Sequence, residues 1–346
     1  MKFRSHLWSG LLTVSLAVVS HSLLNNPTQA QMLSPQTASN NLSHATLQPG
    51  INRVTFQSEG ETLVGNLYLP VNYKPGDKLP VVIVTGAWMT VKEQMPAIYA
   101  QKLADRGFAA LSFDFRSWGE SGGKLRNFES ATQKIVDIKN AVSFLQTVDA
   151  VDSNRIVGLG ICASAGYMAV AAAEDSRIRS LVTVAPWIHD PQIIDAVYGG
   201  NDSVQKLIAT GRAAKDKFKQ TGKADHVLAT SKTDKTAIMY GDFDYYQNPE
   251  RGAIPEWKNQ FAIASWAEWL TFNPMPVAQQ VNVPTLMIHS EKAAIPEGTR
   301  QFFAAIPGTN KQIHWLPDRT QFDFYDQEET VNQSVALIAS YLDTAL

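Results

Sequence analysis

Gly160-Ile161-Cys162-Ala163-Ser164-Ala165-Gly166 follows an apolar run ending at Leu159 and opens a small-residue helical stretch at 167–174. A strand that turns sharply into a helix, with a nucleophile at the apex, leaves no room for side chains two residues to either side. Two registers satisfy that pattern: Gly160 and Ser164 around Cys162, or Cys162 and Gly166 around Ser164. The early end of the apolar run favours Cys162. At the head of a helix, the dipole and the free N–H groups favour a thiolate, so a lowered thiol pKa is expected. The competing reading is an inert thiol buried in a tight glycine turn.

Working outward, 52–57 and 62–69 alternate as antiparallel strands do, and a turn follows at Lys74-Pro75-Gly76-Asp77. Short apolar strands are expected at 81–85, 108–113, 155–159, 181–185, 285–288 and 311–316. Helical spacing marks 94–106, the set Ile135, Ile138, Val142 and Leu145, and a final set Val331, Val335, Ile338 and Leu342. Such alternation predicts an α/β fold with a mostly parallel, doubly wound sheet. The stretch 188–275 breaks the rhythm and is rich in aromatic residues. An insertion at the carboxyl ends of parallel strands is placed to act as a lid. Trp187, His189 and some of Tyr245, Tyr246, Trp257 and Trp266 are expected to line one apolar cavity beneath it.

The chain has 346 residues, 45% of them hydrophobic and 18% charged, with a net charge of −2. That is enough apolar material for a sizeable core. It lacks the basic excess a nucleic-acid partner requires. Lys2, Arg4 and His6 precede an apolar run at 11–19, and Thr28-Gln29-Ala30 suits cleavage. That run is far below the roughly 20 residues a spanning helix needs. The expected organisation is a signal peptide over 1–30, a polar leader over 31–50 and one domain over 51–346. With no later transmembrane span, the mature protein is expected in the periplasm or the medium. Cys162 is the single cysteine, which excludes an internal disulfide.

The chain resembles the dienelactone-hydrolase-like branch of the α/β-hydrolase superfamily. The resemblance rests on Lys92-Glu93-Gln94, on Phe113-Asp114-Phe115-Arg116-Ser117-Trp118-Gly119-Glu120-Ser121-Gly122-Gly123, on the turn around Cys162 and on Pro186-Trp187-Ile188-His189-Asp190. It implies Cys162 as nucleophile and an oxyanion hole built from the N–H of Ala163 and that of Ala87 or Trp88. It also implies an acid after the strand at 285–288 and a histidine after the last strand. Here the chain departs from the pattern. His289-Ser290-Glu291-Lys292-Ala293-Ala294-Ile295-Pro296 puts Ala293 at the acid position, with Glu291 as a possible substitute. Thr320-Gln321-Phe322-Asp323-Phe324-Tyr325-Asp326 puts Gln321 at the histidine position, and an amide is no general base. His189 and His289, each just past a strand end, are the candidates for a displaced base.

The sequence therefore points to an exported hydrolase-family protein acting on an ester or thioester through Cys162, with an incomplete triad. The alternative is a lapsed enzyme whose pocket binds a small apolar ligand or a partner. No metal cluster, phosphate loop or dinucleotide fingerprint is present, so no cofactor is expected.

Overall fold

The computed structural model describes residues 47–346. The expected signal peptide and residues 31–46 of the leader lie outside the described residues. Strands β1 (Gly50–Ser58) and β2 (Glu61–Leu69) form a hairpin, with Ser58 opposite Glu61. Its two-residue turn, Glu59-Gly60, has φ 45° and 84°, the positive pair that matches the twist of the strands. Then follow β3 (Leu79–Thr85), α1 (Met95–Ala104), β4 (Ala109–Phe113), α2 (Ala131–Leu145), β5 (Val151–Ile161), α3 (Ser164–Glu174) and β6 (Ile178–Val184). After the insertion come β7 (Thr285–His289) and β8 (Lys311–Trp315), and the chain closes with a helix over Glu328–Ala345.

The eight strands lie in the order β1-β2-β4-β3-β5-β6-β7-β8, antiparallel at β1-β2-β4 and parallel from there on. β4 and β7 are buried at every residue because helices cover both faces. The edge strand β1 alternates buried and exposed instead. This is the α/β-hydrolase fold. Among the described residues, no helix is long and apolar enough to cross a membrane.

The insertion carries two helices, Pro191–Val197 and Asn201–Thr221, and a third, Ser265–Thr271, that packs on the long one. The first and third border the space over the Cys162 turn through Val197 and Trp269. Two ionic clusters hold the loops beneath them. The Lys92 ammonium, buried, contacts Asp114 at 2.8 Å, Glu120 at 2.7 Å and Glu93 at 2.5 Å. Those three carboxylates are close enough to suggest a cation site, but the ammonium already stands among them. Arg116 pairs with Asp137 at 2.7 Å and ties β1 to α2 through Ser58.

Between β5 and α3 the chain reverses within two residues. A Cβ on Gly160 would lie 2.5 Å from the Ser164 carbonyl oxygen and 2.7 Å from the Ala165 backbone. Both are backbone, so nothing yields cheaply. Gly160→Ala is expected to lose about 3 kcal/mol of stability, at the upper end of overpacking costs. Chemical denaturation checks this; a loss under about 0.5 kcal/mol would mean the turn tolerates a side chain.

Candidate active site

The left-handed residue of the turn is Cys162, at φ 56°, while Ser164 is the first residue of α3. The Ser164 hydroxyl donates to the Gly86 carbonyl and so points away from the cavity. It welds the turn to the loop after β3. Cys162 itself bonds outward from its backbone: its N–H donates to Val184 at 3.0 Å and its carbonyl accepts from Trp187 at 2.9 Å. The loop after β6 is thereby referred to Cys162, as the loop after β3 is to Ser164.

A cavity of about 90 Å³ opens above Cys162. Trp88, Ala163, Trp187, Val197, Tyr198, Ile238, Met239, Phe243, Tyr246, Trp269, Ala294, Gln321, Phe322 and Tyr325 complete its wall. No charged side chain lines it, so it suits an uncharged apolar group. Of the eight described non-glycine residues with positive φ, Cys162 (56°) lines it, Met89 (62°) and Ile295 (43°) follow the wall residues Trp88 and Ala294, and Ala185 (42°) accepts from the wall residue Gln321. Such conformations each cost about 1–3 kcal/mol and persist where the surroundings impose them.

The amides of Ala163 and Trp88, the Tyr325 hydroxyl and the Gln321 amide lie around the thiol and favour its charged form. Of the two candidate loop amides, that of Trp88 faces the sulfur. Ala87 contributes its carbonyl, which accepts from Thr90 Oγ1 at 2.7 Å. Burial pushes the Cys162 thiol up, and the hydrogen bonds from Tyr325, Ala163, Trp88 and Gln321 offset that only in part. The lowered pKa expected from the helix end is thus corrected: desolvation outweighs the hydrogen bonds that favour the thiolate.

Gln321 occupies the place facing Cys162, fixed at both ends. Its Oε1 accepts the Ala294 N–H at 3.0 Å, and its Nε2 donates to the Ala185 carbonyl at 2.9 Å and the Tyr325 hydroxyl at 3.3 Å. Neither histidine stands in for it. His189 accepts from Trp187 Nε1 at 2.9 Å through Nδ1 and donates to the Phe272 carbonyl at 2.8 Å through Nε2. Both nitrogens are committed, the ring is edge-on to Trp269, and burial lowers its pKa to about 4. His289 is buried against Trp315, its pKa also lowered by burial to about 4, and it does not reach the cavity. The displaced-base expectation is corrected for both: each is held neutral in packing, away from the thiol.

Glu291 needs correction too. Its side chain is 62% exposed and paired with Arg300, because the turn that Ser290 anchors through Lys292 and Arg319 throws it outward. Of the expected aromatic lining, Trp187 and Tyr246 reach the cavity. Tyr245, Trp257 and Trp266 pack behind the wall. Trp257 donates to the Met89 carbonyl at 2.6 Å, Tyr245 meets the Tyr325 ring at 5.0 Å, and Trp266 lies 6.1 Å from Trp88. Sequence reasoning missed Tyr325, Tyr198 and Trp269. Tyr325 lies in the same short segment as Gln321, four residues on, and that i, i+4 spacing was the available signal.

The family model described as serine aminopeptidase, S33 matches residues 78–319. The chain is 31% identical to the uncharacterized protein PA2218 of Pseudomonas aeruginosa over 291 residues, covering 81% of this chain and 77% of that one. The crystal structure of PA2218 superposes with a TM-score of 0.75 at 26% identity, over 91% of this chain and all of the other. A thiohydrolase of Eupenicillium brefeldianum is 26% identical over 258 residues, 72% of this chain and 79% of its own. The α/β hydrolase GrgF of Penicillium sp. sh18 shares the fold, with a TM-score of 0.73 at 20% identity over 85% of this chain and 98% of its own.

The electrostatics of the thiol give a direct expectation. Alkylation of Cys162 by iodoacetamide is expected to accelerate with pH to a midpoint above the roughly 8.5 of an unperturbed cysteine. A midpoint below 7 would show a thiolate that burial does not suppress.

Proposed function

The chain belongs to the hydrolase family described as serine aminopeptidase, S33, within the α/β-hydrolase superfamily; on that premise we propose that it takes the acyl group of an uncharged ester or thioester onto Cys162 and releases it slowly. One observation carries the proposal. The thiol faces the N–H groups of Ala163 and Trp88, while the residue opposite it is an amide rather than a base. Two such donors suit a tetrahedral oxyanion. With a thioester, the new bond forms from Cys162 Sγ to the acyl carbon, the old carbon–sulfur bond breaks, and the thiol proton leaves on the departing thiol. The second half, attack by water, needs a proton acceptor that Gln321 does not supply.

The resemblance to a thiohydrolase supports the thioester side of this reading. The cysteine turn supports the narrower placement beside the dienelactone-hydrolase-like branch. The basic start at Lys2 and Arg4, with the apolar run at 11–19, supports export to the periplasm or medium. A second reading, a lapsed enzyme that binds an apolar ligand or partner, is favoured by one detail: every polar atom of the Gln321 side chain is already satisfied within the protein.

Rapid mixing with p-nitrophenyl butyrate separates the two. Acyl capture predicts a burst of one nitrophenolate per Cys162, lost in Cys162→Ala, followed by slow turnover. Ala294, not the expected Ala293, adjoins Gln321, so placing a base and its partner with Gln321→His and Ala294→Asp is expected to raise the slow phase by about 10²-fold or more. Absence of a burst, together with tryptophan quenching by the ester, would favour the binding role. Brisk wild-type turnover abolished by His189→Ala or His289→Ala would overturn both.

A further inference from the structure

We propose that Glu129 is a positioning residue that holds the Trp88 amide against Cys162; this rests on the reading of Cys162 as an acyl acceptor. Glu129 is fully buried, outside the cavity wall, where the loop after β3, helix α3 and the insertion meet. Its Oε2 accepts the Met89 N–H at 3.3 Å. Its Oε1 accepts the Tyr167 hydroxyl at 2.9 Å and contacts the Lys134 ammonium at 2.6 Å. Its own N–H donates to Ser265 Oγ, on the insertion, at 2.9 Å.

These contacts bear on the two peptide planes that flank Trp88. The plane joining Ala87 to Trp88, which carries the Trp88 N–H, is held by Thr90 Oγ1 on the Ala87 carbonyl. The plane joining Trp88 to Met89 is held by Glu129 on the Met89 N–H, and the next plane, joining Met89 to Thr90, by Trp257 Nε1 on the Met89 carbonyl. Met89 sits at φ 62°, a conformation a non-glycine residue keeps only where partners impose it. Tyr167 belongs to α3, the helix that issues from the Cys162 turn and is capped by Ala163, the residue of the second amide. One carboxylate thus joins the two segments whose N–H groups face the thiol.

The charge itself is informative. Lys134 is buried beneath Glu129, its ammonium 4.7 Å from the Phe115 ring centroid, 5.5 Å from that of Trp118 and 5.6 Å from that of Tyr167. A buried ion pair loses so much hydration that a well-packed apolar pair often serves stability as well or better. A carboxylate, however, accepts from several donors at once and more strongly than an amide. That is what fixing Met89 and Tyr167 together requires.

Glu129→Gln is the test, with butyryl-N-acetylcysteamine as acyl donor, intact mass as readout and iodoacetamide alkylation run in parallel. Alkylation needs the thiol but no oxyanion donor. The variant is expected to acylate about 10-fold more slowly or worse, below the 10²–10³ of deleting a donor outright, while alkylation changes less than about twofold. Hydrogen exchange of the Met89 amide is expected to quicken while β5 stays protected. If acylation is unchanged, or if acylation and alkylation fall together with a general loss of protection, the positioning role is overturned. Should the single variant not fold, Glu129→Gln with Lys134→Met removes the unpaired charge; wild-type acylation there would equally overturn it. If the wild type takes no acyl group, the Cys162 reading fails, and unchanged exchange at 86–91 in Glu129→Gln then overturns this inference separately.

Discussion

The reversal of the chain at Cys162 is the constraint on which the rest of the site depends. A buried strand must become a buried helix within two residues, and the backbone manages it by holding a non-glycine residue in the left-handed region. Gly160 makes the close approach possible, because any side chain there meets backbone. The turn is then used as an anchor. Ser164 binds the Gly86 carbonyl, and Cys162 binds Val184 and Trp187 through its own peptide groups. The loop after β3 and the loop after β6 are thereby set relative to the sulfur before any ligand arrives.

Burial decides the chemistry that follows. The thiol lies under a lid of aromatic residues, and the cavity above it has no charged side chain in its wall. Desolvation raises the thiol's pKa and lowers those of His189 and His289, so the thiol and both imidazoles are held neutral. The site offers hydrogen-bond donors to an oxyanion and an apolar surface to an acyl chain, but no proton acceptor for water. Such a division suits capture of an activated acyl group better than its rapid hydrolysis.

Much of this architecture was legible in the sequence because it depends on local signals. Short apolar runs separated by helical spacing gave the sheet, and two small residues around Cys162 gave the turn. Gln321 was found from its place after the last strand. What stayed hidden depends on long-range packing. The outward throw of Glu291 follows from how Ser290 anchors the turn behind it, and no pattern of residue types announces that. His189 looked free in sequence, yet its two partners, Trp187 and Phe272, include one 83 residues away. The aromatic residues of the insertion were visible as a set, but only the fold sorts Trp187, Tyr246 and Trp269 onto the wall and Tyr245, Trp257 and Trp266 behind it. The sign of the thiol's shift was likewise beyond reach, since a helix end and a dry cavity pull in opposite directions.

The lifetime of the acyl group on Cys162 tests the central claim most directly. Intact-mass spectra should be followed in time after one equivalent of butyryl-N-acetylcysteamine is added and free donor removed. A single butyryl adduct that maps to Cys162 and decays far more slowly than it forms is the expected result. Complete conversion of donor to butyrate with no adduct on the protein, and the same conversion by Cys162→Ala, would contradict it.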